Sequence, residues 1–203
     1  MTDGHIDLDL NSGPSLAAPM LDSLYRRMRT MHSLYYQAVD SMDLEHVNHF
    51  ERDGVVPIAF SLFHYVNVHD GSFMMITGEP PIWNDDWQDR VQLTIADHGK
   101  HKTVDEMVAQ RIGDYDAYKE YQRTVFERTE EYLRTMDPAD LIRVLVAKPY
   151  PPMIASTYSA RCAGPMGITV LDGFECWLYQ HGLRHMGEIE LARGLVGLGG
   201  MTS

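Results

Sequence analysis

The chain has 203 residues, of which 44% are hydrophobic and 23% charged, a composition typical of one globular domain with a real core. Its net charge of −12 and the lack of any basic run exclude nucleic acid as the expected partner, because phosphate binding needs a basic surface. No segment approaches the ~20 apolar residues of a membrane span, so we expect no membrane partner either.

Residues 1–18 are polar and contain glycine and proline, which predicts a loosely ordered lead-in to one domain that spans residues 1–203. The lead-in carries acids and lacks the apolar stretch of a secretory signal peptide. Because the chain also has only two cysteines, Cys162 and Cys176, we expect a cytoplasmic protein. Cys176 is expected to be a packed thiol and not a ligand.

The first half of the chain contains two predicted long helices. Apolar residues at helical spacing predict one from about Pro19 to Met42, in which His32 is expected to be partly exposed. A polar connector, 43–54, leads to a second helix, Val55–Met75, with Pro57 in its first turn. This helix is apolar nearly all round and should be central to the fold. Its predicted core face comprises Phe60, Ser61, His64, Asn67, Val68, Gly71 and Met75.

Four further histidines lie in polar connections. His46 and His49 belong to the connector before the second helix, and we expect no function for them because they lack a supporting apolar face. The segment 78–102 opens with a Pro-rich aromatic stretch of the kind that can cover a pocket. Its His98 and His101 are expected to be solvated, with an approach to a site from a lid as the less favoured alternative.

Helical patterns return after this segment. Thr103–Glu106 is a capping-box sequence, which predicts a helix from there to Ile112. After a pause, the third long helix is predicted at Tyr115–Met136, with tyrosines and aliphatic residues on one face and Lys, Arg and Glu on the other.

The last third of the chain is predicted to hold one long connection and one long helix. Asp137, followed by proline, starts a short helix through Val146. An extended connection, 148–165, then leads to the fourth long helix, Val170–Val196. Four long amphipathic segments joined by two long connections predict an all-α fold, a four-helix bundle with long crossover connections.

The fourth helix has a polar interruption in its apolar face. His181 and His185 lie four residues apart, so their rings are stacked one turn above the other and can reach one ion at about 2.1 Å. Because imidazoles in a core need a compensating partner, this position favours a metal site. The stripe expected to face the core is Val170, Phe174, Trp177, Leu178, His181, His185, Glu188, Ala192 and Leu195, with Gln180, Glu190 and Arg193 facing away.

A third metal ligand is predicted in the second helix, where His64 stands at mid-height on the predicted core face. Three neutral imidazoles leave at least one coordination position open, which is typical of a catalytic rather than a closed structural site. Zinc, nickel and iron(II) would all accept this ligand set. The alternative is that the three histidines are hydrogen-bonded core residues that hold no metal.

The spacing of the histidine pair resembles the H-E-x-x-H of metalloproteases, but Gly182 stands where that motif has its general base. The protease interpretation therefore fails. Glu188, one turn beyond His185, is the candidate catalytic residue: it could act as a base, be a fourth ligand, or accept a hydrogen bond from a ligand histidine. The alternative is a carboxylate at the rim of the bundle.

The residues LFHYVNVHD (62–70) and HGLRHMGEIELARGLVG (181–197), with MDLE (42–45) before the second helix, resemble the DinB/YfiT-like superfamily of metal-dependent proteins. The resemblance spans nearly the whole chain in the order of its elements. It implies a four-helix bundle, frequently a homodimer, with a divalent metal held by the three histidines. Glu188 stands where many relatives have glutamine.

This resemblance also implies a chemistry, because the better understood members use low-molecular-weight thiols, as S-transferases or as the mycothiol-dependent maleylpyruvate isomerase. Related domains in sulfoxide synthases hold iron. We therefore expect a metal that lowers the pKa of a thiol cosubstrate, whose thiolate attacks a small-molecule electrophile. Trp83, Trp87 and Tyr65 are candidate walls for the electrophile. The alternatives are a hydrolase using bound hydroxide and a non-catalytic metal-binding stress-response protein.

Overall fold

The structure is a computed structural model that describes residues 16–95 and 103–201. Most of these residues are helical. Residues 144–147 and 167–169 form a short two-stranded sheet. In chain order the elements are α1 (Ala17–Asp40), α2 (Leu44–Asn48), α3 (Ile58–Thr77), α4 (Asp85–Val91), α5 (Val104–Val108), α6 (Tyr115–Thr135), a 3₁₀ helix (Pro138–Ile142), β1 (Val144–Ala147), α7 (Pro152–Ala155), α8 (Tyr158–Cys162), β2 (Gly167–Thr169), α9 (Val170–Gly173), a π-helical segment (Phe174–Tyr179) and α10 (Gln180–Leu195).

The long helices pack around one shared apolar core. Helix α1 packs against α6 and α10, and α3 packs against the same two helices. Large, fully buried side chains from all four segments meet in this core, among them Tyr35, Tyr65, Phe126 and Phe174. The prediction of a mostly helical fold is therefore confirmed. In the part of the chain that the structure describes, no helix is both long and apolar enough to cross a lipid bilayer.

The ends of α3 are set by two residues with restricted or unusual backbone conformations. Pro57 is the N-cap residue, immediately before the helix, and not inside its first turn as predicted. Gly78 follows the last turn in the left-handed conformation, with φ of +82°, which glycine adopts without the steric cost that other residues meet. The central helix therefore begins and ends within three residues of its predicted bounds.

The prediction of a short helix through Val146 is wrong in its second half. The 3₁₀ helix ends at Ile142, and β1 follows, paired antiparallel with β2. The β-branched Val144 and Val146 favour a strand. The partner strand lies beyond the 148–165 connection, so the local pattern did not reveal it. That connection is not extended throughout, because it contains α7 and α8.

Part of the predicted aromatic loop is also helical. Helix α4 begins after Asn84, whose side chain accepts a hydrogen bond of 3.0 Å from the backbone N–H of Trp87. An asparagine followed by two acidic residues is a helix-start signal that the sequence already contained. The predictions for His98 and His101 fall outside the described residues.

The fourth predicted helix is one continuous helical run, but the π-helical segment interrupts its regular winding. A π turn changes the angular phase of the following residues. The burial of two residues near the end of this helix also differs from the prediction. Arg193, predicted to face away, is buried and donates hydrogen bonds to the Ser41 hydroxyl and the Gly199 carbonyl. Leu195, predicted to face the core, is exposed. The end of α10 thus packs towards α1 and the C-terminal tail.

The face of α3 that was predicted to be core is buried at its N-terminal end, at Phe60 and Ser61, but from His64 onwards it is the most exposed face of the helix. His64 is half-buried and Met75 is exposed, whereas His69, on a different face, is fully buried. Because α3 is apolar nearly all round, its sequence pattern does not indicate which face packs inward. The contacts with α6 and α10 decide this, and they leave the His64 face at the edge of the core.

Two buried histidines form hydrogen bonds inside the core. His32, predicted to be partly exposed, is fully buried, and its Nδ1 lies 2.8 Å from Glu130 Oε1. His69 donates from Nε2 to the Thr129 hydroxyl at 2.8 Å, because that hydroxyl donates its own proton to a main-chain carbonyl. The bare Nδ1 of His69 then accepts from the Tyr65 hydroxyl at 3.0 Å. Burial is the largest cause that lowers the pKa of both histidines.

The buried Asp70 on α3 fastens the segment that leads into α4. Its carboxylate accepts hydrogen bonds from the backbone N–H groups of Ile82 (3.0 Å) and Trp83 (2.8 Å) and from the Tyr121 hydroxyl (3.2 Å). It also forms an ion pair with Arg128 of α6. A carboxylate removed from water is stable only with such partners, so this cluster joins α3, α6 and the α3–α4 connection.

We predict that Asp70→Ala lowers the free energy of unfolding by about 3–5 kcal/mol, because it leaves the Arg128 charge without its partner. Urea unfolding followed by far-ultraviolet circular dichroism measures this. The control is Asp22→Ala, which removes the exposed ion pair with Arg26 on α1 and should cost less than about 1 kcal/mol. Equal losses in the two variants would contradict the role of Asp70.

We also predict that the metal-free protein loses stability as the pH falls from 7 to 5. The pKa of His69 is lowered well below its ordinary value in the folded chain, so only the unfolded chain takes up a proton in this range. Each such group contributes a slope of up to about 1.4 kcal/mol per pH unit. His69→Gln should flatten this slope, and His49→Gln, at an exposed position, should not. An unchanged slope in His69→Gln would show that His69 does not contribute.

Candidate metal centre

Three histidines from two helices meet at the edge of the core. His64 projects from α3, and His181 and His185 project from successive turns of α10. One ring nitrogen of each lies within 4.8 Å of the other two. The ring of His64 is 4.8 Å from that of His185 and 5.6 Å from that of His181, measured between centroids. Side chains distant in sequence thus point towards a common position.

A hydrogen bond to Glu188 fixes the tautomer of His185. Its Nδ1–H donates to Glu188 Oε2 at 2.7 Å, and the Ser61 hydroxyl donates to the same oxygen at 3.3 Å. A neutral imidazole protonated at Nδ1 has a bare Nε2. This Nε2 lies 2.9 Å from Nε2 of His181. Two ring nitrogens that face one another at this distance need a shared proton or a shared cation.

The electrostatics of the site favour neutral imidazoles. Burial is the largest cause that lowers the pKa of His181 to about 3; His185, His64 and Arg184 act in the same direction, and Glu188 opposes them. The hydrogen bond from His185 is the largest cause that lowers the pKa of Glu188, against the opposing effect of burial. The site therefore combines one imidazole, that of His181, which stays unprotonated at neutral pH, with an ionised carboxylate. Metal binding requires unprotonated imidazole nitrogens.

The donor set fits a divalent metal ion. Imidazole nitrogen is a ligand for zinc, nickel and iron, and three neutral histidines occur in catalytic zinc sites. A carboxylate that accepts the other N–H of a ligand histidine is the usual support of such sites, because it fixes the tautomer and the ring orientation. His185 and Glu188 have this relation. His64, His181 and His185 are the residues that could hold the ion.

Two buried tyrosines lie against the helical backbone next to the histidines. The Tyr35 hydroxyl donates to the Gly182 carbonyl of α10 at 2.9 Å. The Tyr65 hydroxyl, whose proton goes to His69, lies 3.3 Å from the Leu178 carbonyl of the π-helical segment. A Cβ atom at Gly182 would lie 2.3 Å from Met31 Sδ and 2.5 Å from the Tyr65 hydroxyl oxygen. Glycine is therefore required here so that α1 and α3 can approach α10 closely.

The model of the DinB superfamily matches residues 27–189 of this chain. The chain belongs to the DinB superfamily. This confirms the resemblance read from the sequence around the three histidines. A crystal structure of a conserved protein from Enterococcus faecalis has the same fold, with a TM-score of 0.61 and 16% sequence identity over 89% of this chain and 95% of that one. At this identity the likeness shows the fold alone. No curated protein matches the chain.

Of the other predicted site residues of this DinB-superfamily protein, two lie next to the histidines and two lie elsewhere. Glu188 contacts His185, as one of its three proposed roles requires. The Tyr65 ring lies 5.9 Å from the His181 ring. Trp83 packs on Phe63 and Tyr121, and Trp87 packs on Tyr121 and Arg90, so their described contacts are with the α4 side of the core.

Apart from Glu188, the residues that support the ligands were not predicted from the sequence. Ser61 and Tyr35 carried no motif, and their contacts with Glu188 and Gly182 depend on how α1 and α3 pack against α10. One signal was present: Gly182 between two predicted ligands is unusual in a helix, because glycine lowers helix stability. A glycine retained there indicates a close approach of another chain segment.

We predict that Gly182→Ala destabilises the protein by about 1–3 kcal/mol, the usual cost of an overpacked position, and weakens metal binding because α10 must move. Thermal unfolding and calorimetric titration with zinc measure the two effects. The control is Gly187→Ala on the same helix, where an added Cβ meets nothing within 4 Å and should stabilise by about 0.5–1 kcal/mol. Equal behaviour of the two alanine variants would contradict the close approach at Gly182.

Proposed function

We propose that this protein is a divalent-metal-dependent enzyme that activates a low-molecular-weight thiol and transfers it to a small electrophilic substrate. The observation that supports it is the convergence of His64, His181 and His185, with Glu188 bound to one of them. Membership of the DinB superfamily adds to it, since a thiol cosubstrate is what the resemblance of the motifs implies. Cytoplasmic location and homodimer formation remain predictions.

The three histidines would hold the metal through neutral imidazole nitrogens. When bound there, a divalent ion supplies the positive charge that lowers the pKa of a thiol or of water. The protein residues provide the rest. His181 stays unprotonated because it is largely buried beside other imidazoles, and Arg184 adds positive charge near it.

Glu188 acts in this proposal by orienting His185. Its Oε2 accepts from the His185 Nδ1–H and from the Ser61 hydroxyl, so this oxygen is occupied. The Glu188 side chain is 54% exposed, so Oε1 faces a region that solvent reaches. This second oxygen carries the alternative proposal, in which Glu188 takes a proton from water in a metal-assisted hydrolysis.

We predict that protein purified without chelator contains about one metal ion per chain, and that His64→Ala, His181→Ala and His185→Ala each lose it while the helical signal persists. Elemental analysis and circular dichroism measure this. His49→Ala, which removes an exposed histidine, is the matched control and should keep the metal. Glu188→Ala should weaken metal affinity by roughly 10–100-fold, as loss of a supporting hydrogen bond to a ligand does. Unchanged metal content in all three ligand variants would refute the site.

Activity then distinguishes the candidate functions. Metal-loaded protein is incubated with a panel of small thiols and a fluorogenic bimane electrophile, and separately with ester and amide substrates. Conjugation that requires both metal and thiol supports the proposal. Hydrolysis without thiol supports the alternative, and metal-dependent stabilisation with neither reaction supports a non-catalytic metal-binding protein.

A further inference from the structure

A pair of cysteines lies outside the histidine site. Cys162 ends α8 and is exposed, and Cys176 belongs to the π-helical segment and is buried. Helix α8 packs against the π-helical segment, which brings the two residues together although 13 residues separate them in sequence. Neither cysteine takes part in the proposed metal centre.

The packing of α8 against the π-helical segment places the two side chains near each other. The Cys176 side chain interacts with that of Cys162, and the Tyr158 side chain interacts with Cys162 as well. Burial is the largest cause that raises the pKa of Cys176 to about 12, and the nearby Cys162 adds to it. Cys176 therefore keeps its proton. Its S–H group and the Tyr158 hydroxyl both lie beside the Cys162 sulfur.

The difference in exposure gives the two cysteines different roles in a reaction with an oxidant. A thiolate is the form of cysteine that attacks an oxidant, and attack also needs access from solvent. Cys162 has the access. Cys176, buried and protonated beside it, has the position of a second cysteine that reacts with an oxidised Cys162. This differs from an isolated cysteine, whose oxidation would stop at the sulfenic acid or continue irreversibly.

We propose that Cys162 and Cys176 form a reversible redox site in which hydrogen peroxide converts the two thiols into an intramolecular disulfide. The Cys162 thiolate attacks one peroxide oxygen, the O–O bond breaks, and the departing hydroxide takes up a proton to form water. The resulting sulfenic acid is attacked by the Cys176 sulfur as it loses its proton. The S–O bond breaks, a second water leaves, and the S–S bond forms. Both cysteines are oxidised, peroxide is reduced, and a dithiol reverses the reaction.

Oxidation of this pair would tie α8 to the segment that leads into the histidine helix. The π-helical segment ends at Tyr179, two residues before His181. A covalent bond at Cys176 should therefore reduce local opening of the chain around it. We expect slower hydrogen exchange of the backbone amides in 158–179 in the oxidised protein than in the reduced protein.

The test treats the metal-loaded full chain with hydrogen peroxide, blocks free thiols with iodoacetamide and maps peptides without reduction. The wild type should yield one cross-linked peptide that joins residues 162 and 176 and disappears with dithiothreitol. Cys176→Ser should stop at a Cys162 sulfenic acid, trapped by dimedone. Cys162→Ser, altered only at an exposed position, should leave Cys176 reduced. Cys176→Ala repeats the Cys176→Ser experiment without placing a hydroxyl at the buried position, and it should give the same trapped sulfenic acid.

Three results would overturn the inference. Both cysteines could remain fully alkylatable in the wild type after peroxide treatment has oxidised exposed methionines such as Met153 and Met166. The disulfides formed could all be intermolecular. Cys176 could be oxidised in Cys162→Ser as fast as in the wild type, which would mean that Cys162 is not the reacting thiol.

Discussion

The candidate site depends on the close approach of α1 and α3 to the backbone of α10 at Gly182. Tyr35 donates a hydrogen bond to the Gly182 carbonyl, and Tyr65 packs against the same glycine. A helix held through its main chain has little freedom to rotate or slide. The rings of His181 and His185 are therefore directed towards His64 before any ion binds.

The same close approach explains why the core tolerates so many polar groups. Tyr65 lies against Gly182 of α10 and donates its hydroxyl proton to His69, and His69 in turn donates to Thr129 of α6. Burial keeps the imidazoles of His69 and His181 neutral by lowering their pKa. Stability depends on an uncharged His69, and metal binding depends on an uncharged His181.

Much of the fold and the centre of the site were predictable from the sequence. Helical spacing of apolar residues placed the long helices within a few residues of their ends, and the i, i+4 spacing of His181 and His185 put both rings on one side of α10. The pairing with His64 was predicted because two incomplete polar clusters in a core need one another. The three histidines do meet, although His64 lies on the half-buried face of α3 and not on its core face.

The sequence by itself determined the features that depend on neighbours along one helix: its extent, its caps and the alignment of the two later histidines. Only the tertiary structure decided which face of α3 is buried, that Arg193 is buried, that Val144–Ala147 is a strand, and that Ser61 and Glu188 meet. The physical reason is the sequence separation of the interacting residues. Helical hydrogen bonds join residues four apart, so a short stretch of sequence is enough to predict a helix. Burial and strand pairing depend on segments that are distant in the chain. The sequence of a helix that is apolar on all sides does not indicate which face will pack against those segments.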